Sequence, residues 1–163
     1  MKKLIIINGN MGVGKSTICK ILYKKMDKSI WLDADWCWMM NPICFTDENM
    51  RMIENNITYL LCNYLNNSAY QNVIFSLVID KEEVFSRYLS KLKDLDYKLV
   101  IITITCSEEE LKKRLRKRGI EDENFLNSII HSNLYDEMKS KKIDNTNNSI
   151  EESVNKVLEA INN

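Results

Sequence analysis

Residues 9–17 read Gly-Asn-Met-Gly-Val-Gly-Lys-Ser-Thr, and Gly9, Gly14, Lys15 and Ser16 fall at the spacing G-x-x-x-x-G-K-[ST]. The chemistry that spacing serves is phosphate binding. Successive backbone N–H groups wrap an anion only where the chain takes positive φ and lets the ligand come close, and glycine permits both. A helix opening at Lys15 adds the positive end of its dipole. In such a loop Gly9, Asn10, Met11, Gly12, Val13, Gly14 and Thr17 surround the phosphates of a nucleotide. Lys15 reaches the β- and γ-phosphates, and the Ser16 hydroxyl ligates Mg²⁺. The chain has four glycines, and Gly9, Gly12 and Gly14 all stand here. A chance glycine cluster is therefore a poor explanation.

A second set of groups is acidic. Asp33 and Asp35 stand one residue apart in Ser-Ile-Trp-Leu-Asp-Ala-Asp-Trp-Cys-Trp (29–38), among all three tryptophans, Trp31, Trp36 and Trp38. Asp80 closes a later apolar run. A phosphoryl-transfer site needs such groups, because Mg²⁺ takes oxygen ligands and an acceptor hydroxyl needs a carboxylate to orient it and accept its proton. Asp33 and Asp80 are rivals for the metal, although Asp80 has the plainer alternative of capping the helix that follows.

The elements that must position these groups alternate along the chain. Apolar runs at 3–8, 29–33, 72–79 and 98–105 read as strands, and a weaker one lies at 142–144. Runs of successive apolar residues, rather than alternating ones, mark strands covered on both faces. Between them lie helical patterns at 15–26, 46–66, 81–94, 107–117 and 121–139, with a last helix to Ile161. Met50, Ile53, Ile57, Leu60, Leu61 and Tyr64 give 46–66 its apolar stripe. Asp80 with Glu83, Ser107 with Glu110, and Ser149 with Glu152 have capping-box spacing. Strand and helix in alternation with short connections predict an α/β fold: a three-layer sandwich around a five-stranded parallel sheet. In such a sheet ligands lie beyond the carboxyl ends of the strands, where Asp33, Asp35 and Asp80 fall.

With 163 residues, 45% apolar and 28% charged, the chain reads as one soluble domain, 1–163. Lys plus Arg (23) cancels Asp plus Glu (23), so overall charge supports neither a nucleic-acid nor a membrane partner. Five scattered cysteines without C-x-x-C spacing read as buried reduced thiols. The apolar run Leu4–Ile7 is too short for a signal peptide, which places the protein in the cytoplasm. His131, the single histidine, reads as a surface residue.

A phosphate loop alone does not name a reaction. A GTPase switch needs D-x-x-G and N-K-x-D, and neither occurs. The loop form G-x-x-G-x-G-K-S and the segment Ser-Glu-Glu-Glu-Leu-Lys-Lys-Arg-Leu-Arg-Lys-Arg-Gly (107–119) resemble the small-molecule and nucleotide kinases of the shikimate, gluconate and adenylate kinase superfamily. That resemblance implies a P-loop nucleoside triphosphate hydrolase fold with strand order 2-3-1-4-5. It makes about 34–70 the acceptor-binding region and about 114–124 a lid. It implies ATP and Mg²⁺. Arg114 would flank the adenine, Arg118 with help from Arg116 would close on the phosphates, and Asn145, Thr146 and Asn147 would lie by the base. Asp33 would serve Mg²⁺ through water, and Asp35 would bind the acceptor hydroxyl as candidate base.

The acceptor follows from what clamps it. A phosphate acceptor calls for two or more arginines. Between loop and lid only Arg51 and Arg87 are available, and the G-[FY]-P-R turn of adenylate kinases is absent. A hydroxyl on a nucleoside-, sugar- or antibiotic-like molecule is the expected acceptor, with Arg51 available for a substrate anion. Trp36, next to Asp35, is the best candidate for an aromatic pocket wall, and the core takes at least one other tryptophan. The alternatives are a nucleoside monophosphate kinase and a non-kinase nucleotide-binding switch.

Overall fold

The structure, a computed structural model, describes residues 1–79, 81–130, 135 and 138–162. Five strands, β1 (Lys2–Gly9), β2 (Ser29–Asp33), β3 (Asn72–Ser76), β4 (Tyr97–Thr105) and β5 (Lys141–Asp144), form one parallel sheet in the order β2-β3-β1-β4-β5. That is the expected topology.

The sheet separates two cores, which explains the unbroken apolar runs. In β1, Ile5 and Ile7 face one layer while Leu4 and Ile6 face the other. The first layer packs α1 (Lys15–Lys25), α4 (Glu108–Lys117), α5 (Glu123–Ile130) and α6 (Ile150–Asn162) through Ile18, Leu22, Leu111, Leu115, Leu126 and Val157. The second packs α2 (Asp47–Asn66) and α3 (Glu82–Lys91) through Ile53, Ile57, Leu61 and Phe85. Each fully buried aliphatic side chain contributes roughly 1.5–3 kcal/mol. In α2 the stripe is Ile53, Ile57, Leu61 and Leu65, whereas Met50 is exposed.

Side chains cap three helix starts, at the expected Ser107 and Ser149 and also at Thr46. Thr46 Oγ1 accepts from the Asn49 N–H (3.2 Å) and Ser107 Oγ from the Glu110 N–H (3.3 Å). Ser149 and Glu152 form the full reciprocal box (3.2 and 2.7 Å). At α3 the described cap is Lys81, with no side-chain cap bond, and the expected Asp80–Glu83 box rests on a residue outside the described ones. Asp80 and His131 lie outside the described residues.

The third strand ends early, at Ser76 rather than residue 79. Its neighbour runs out: β1 turns away after Gly9, the Leu77 N–H takes the last carbonyl, Ile7 O (3.2 Å), and Ile79 pairs with the Asn8 side chain instead. Leu77 and Ile79 are buried all the same, so their apolar character reports burial and not ladder pairing. The thiols also differ from expectation: Cys19 is buried, but Cys44 is exposed and Cys37, Cys62 and Cys106 are half-buried. All five are free. Among the described residues no helix is long and apolar enough to cross a membrane.

Candidate active site

Strand register brings the chemistry to one edge. Asp33 is level with Ser76, Ser76 with Ile7, Gly9 with Ile104, and Thr105 with Asp144. The carboxyl ends of all five strands therefore surround the loop between β1 and α1. Two glycines are there because side chains would not fit. A Cβ on Gly9 would stand 2.3 Å from the backbone oxygen of Ile104, and one on Gly12 would stand 2.8 Å from the Leu115 side chain of α4. Both take positive φ, 144° and 90°.

Lys15 is buried and donates from Nζ to the carbonyls of Gly9 (2.8 Å) and Asn10 (2.9 Å). Ser16 Oγ donates to Asp33 Oδ2 (2.8 Å), and the other oxygen of Asp33 accepts the Asp35 N–H (3.1 Å). That second bond caps a 3₁₀ turn, Ala34–Trp38, on which Asp35 is exposed at the surface but partly screened from water, while Asp33 stays buried. Desolvation raises Asp35 above its ordinary value of 3.8, the Asp33 charge adds to that, and Lys15 opposes it. Desolvation also holds Lys15 down to about 8, against the attraction of Asp35 and then Asp33.

On the other side of the loop lies a cavity of about 510 Å³. Gly12, Gly14, Thr17, Arg114, Arg118 and Asn145 line it, together with Lys117, Asn148, Ile150 and Ser153. Arg114 is held by Glu110 Oε1 (2.8 Å), Val13 O (3.1 Å), Asn145 Oδ1 (2.8 Å) and Asn145 O (3.1 Å). Arg118 is exposed, just past the end of α4, and its charge opposes that of Lys15. Arg116 is not in the cavity lining. Its guanidinium is paired with Glu123 (2.5 Å) at the start of α5. Thr146 is spent as well, bonding the Ser107 N–H (2.8 Å) and Asp144 (2.6 Å), and Asn147 points to solvent. Neither Thr146 nor Asn147 contributes to the cavity lining, whereas Asn145 does.

A family model described as an AAA domain matches residues 5–133. The guanylate kinase of Prochlorococcus marinus subsp. pastoris is 30% identical over 183 residues, covering 99% of this chain and 97% of that enzyme. The chain belongs to the P-loop small-molecule and nucleotide kinases. Among solved structures, the gluconokinase of Sinorhizobium meliloti has a TM-score of 0.72 at 16% identity, covering 98% of this chain and 91% of the other. The tunicamycin resistance protein of Deinococcus radiodurans has the same score and identity, over 99% of this chain and 96% of its own. Both share the fold. The protein is thus a phosphotransferase, which sets aside the nucleotide-binding switch.

In this kinase the three tryptophans have different surroundings. Trp31 lies between Tyr23 (5.8 Å) and Trp36 (4.9 Å) and donates to Ser76 Oγ (2.9 Å). Trp38 packs on Phe45 (5.2 Å) and on the second core. Trp36 alone is half open, 52% exposed, beside Asp35. Arg51 is exposed on α2, without an ion pair among the described residues, while Arg87 pairs with Glu54.

Two polar residues of this kinase were not anticipated. Asn8, fully buried at the end of β1, donates to the carbonyl of Ile79 (2.9 Å) and accepts its N–H (3.0 Å), extending the sheet with a side chain. Glu110 orients Arg114. A polar residue closing the apolar run of β1 was the available sign for the first, and i, i+4 spacing to Arg114 for the second.

The depressed Lys15 predicts an alkaline limb. Above about pH 8 the free enzyme loses the ammonium charge, so kcat/KM for the nucleotide falls, while kcat holds to higher pH because bound phosphate charge favours the protonated form. Unfolding does not explain that limb. The unfolded lysine titrates near 10.5 and the folded one near 8, so between them the unfolded chain binds more protons, and the Lys15 contribution to stability rises with pH. A pH–rate profile with a parallel thermal melt checks this, and a kcat/KM flat to pH 10 contradicts it.

Proposed function

We propose that the protein is an ATP- and Mg²⁺-dependent kinase that transfers the γ-phosphoryl group to a hydroxyl of a small molecule. The supporting observation is the carboxylate pair: Asp33 turned inward onto Ser16, Asp35 turned outward with a raised proton affinity. The donor set fits Mg²⁺, since a hydroxyl and a carboxylate are hard oxygens and this ion keeps several waters. Ser16 would hold it directly and Asp33 through water. It would supply charge neutralisation between the β- and γ-phosphates.

The chain's own groups do the rest. Lys15 draws negative charge off the phosphates from within the loop. Asp35 accepts a hydrogen bond from the acceptor hydroxyl and takes its proton as the new O–P bond forms, and the bond from the γ-phosphorus to the bridging oxygen breaks to leave ADP. Arg118, at the opening of the loop, neutralises charge and limits water. Residues 34–70 form the acceptor side and 114–124 the lid, with Trp36 as a face for a ring. The base would occupy the cavity beside Arg114 and Asn145.

A nucleoside monophosphate acceptor is the second reading. The full-length likeness to a guanylate kinase favours it, as does Arg51, exposed and without an ion pair among the described residues. A coupled assay of ADP release decides between them. Expected is turnover on hydroxylated acceptors (nucleosides, sugars, aminoglycoside-type antibiotics) with kcat/KM at least about tenfold above that on GMP, AMP or CMP. The reverse order assigns the protein to the monophosphate kinases.

A further inference from the structure

We propose that Asn145 and Arg114 are positioning residues that set the shape of the phosphate loop from outside, by holding the carbonyl of Val13. The proposal rests on the phosphate-binding reading of that loop and goes beyond it.

The Val13 oxygen accepts two hydrogen bonds, one from Asn145 Nδ2 (2.8 Å) and one from Arg114 Nη1 (3.1 Å). The Val13–Gly14 peptide is trans, so its C=O and N–H point in opposite directions. Fixing the carbonyl toward Asn145 therefore aims the Gly14 N–H the other way, the direction the proposal assigns to bound phosphate. In a nest of N–H groups the direction of each peptide is the binding property, and a free peptide can flip.

The holding groups are themselves anchored. Asn145 is buried, and its N–H donates to Thr105 O (2.9 Å) at the end of β4. Its Oδ1 and its carbonyl both accept from Arg114 (2.8 and 3.1 Å), which Glu110 orients in turn (2.8 Å). Gly12 lies directly on Leu115 of the same helix. The loop, α4 and the chain after β5 are thus tied at one carbonyl.

This differs from a base contact. Asn145 has its Oδ1, its N–H and its carbonyl all committed to protein partners, and one of its two amide hydrogens to Val13. Little remains to read a purine edge. Its side chain works on the phosphate side, although the residue lies in the wall of the base cavity.

The two roles separate when a ligand has phosphates and no base. Calorimetric titrations of wild type and Asn145→Ala, with Mg²⁺, use a non-hydrolysable ATP analogue and inorganic tripolyphosphate. The clamp predicts that both ligands weaken by the same factor, about tenfold. Weakening of the analogue alone assigns Asn145 to the base and overturns the proposal, as does no weakening of either. Should circular dichroism show Asn145→Ala unfolded, Arg114→Met removes the second donor; because Arg114 also lies beside the base, this variant is judged on tripolyphosphate alone, where about tenfold weakening supports the clamp and unchanged binding overturns it. Wild-type protein that binds neither ligand refutes the phosphate-loop reading itself, a result distinct from failure of the clamp alone.

Discussion

Lys15→Ala is expected to abolish phosphoryl transfer, with kcat lowered by about a thousandfold or more. The size of the effect follows from where the ammonium lies. It is almost wholly removed from water, with the carbonyls of Gly9 and Asn10 on it and both acidic residues near enough to raise its proton affinity. Charge placed in a site of low effective dielectric acts far more strongly on a developing negative charge than the same charge in water. It is also preorganised, since the loop holds it before any ligand arrives. Removing it takes away the countercharge and the donor that bridges the loop's two ends. The measurement is single-turnover transfer with the acceptor found by the coupled assay, together with binding of the ATP analogue. A variant retaining a tenth of wild-type turnover would show that the loop binds phosphate without Lys15 acting in the transition state.

The loop was legible because its requirement is local. Phosphate must be met by consecutive peptides, so the residue types appear in consecutive positions. The sheet was legible for a similar reason: a strand buried on both faces has to be apolar at every position, as Leu4 to Ile7 are. The end of β3 was not, because Leu77 and Ile79 are as buried as the strand itself, and only the departure of β1 into the loop decides where pairing stops.

The segment after β5 was legible from its own residues only as a polar loop. Which of Asn145, Thr146, Asn147 and Asn148 turns inward depends on the pairing of Thr105 with Asp144, and no local pattern encodes that register. Asn145 and Asn148 face the cavity, Thr146 ties the loop to the start of α4, and Asn147 faces water. Arg116 shows the same limit. Its spacing matches that of a phosphate ligand as well as Arg118 does, and its exposed pair with Glu123 on the next helix is not encoded in the local pattern.

Asp35→Asn is expected to lower kcat by about a hundred- to a thousandfold while leaving affinity for the ATP analogue within about threefold of wild type. The substitution is close to isosteric, and the Asp33 bond to the residue 35 N–H uses backbone, so the 3₁₀ turn that presents the side chain is kept. An amide still accepts a hydrogen bond from an acceptor hydroxyl, but it cannot take the proton. Binding of the acceptor should therefore change less than turnover. Two shifts in the pH profile distinguish this from general disruption. The acid limb of wild type, which reflects a carboxyl raised by desolvation and by Asp33, should disappear. The alkaline limb should move to lower pH, because Asp35 is the strongest of the charges that support the Lys15 ammonium, and without it desolvation depresses Lys15 further. Full turnover in Asp35→Asn would remove Asp35 as the base. A reduced kcat with both limbs unmoved would mean that Asp35 orients the acceptor without accepting its proton.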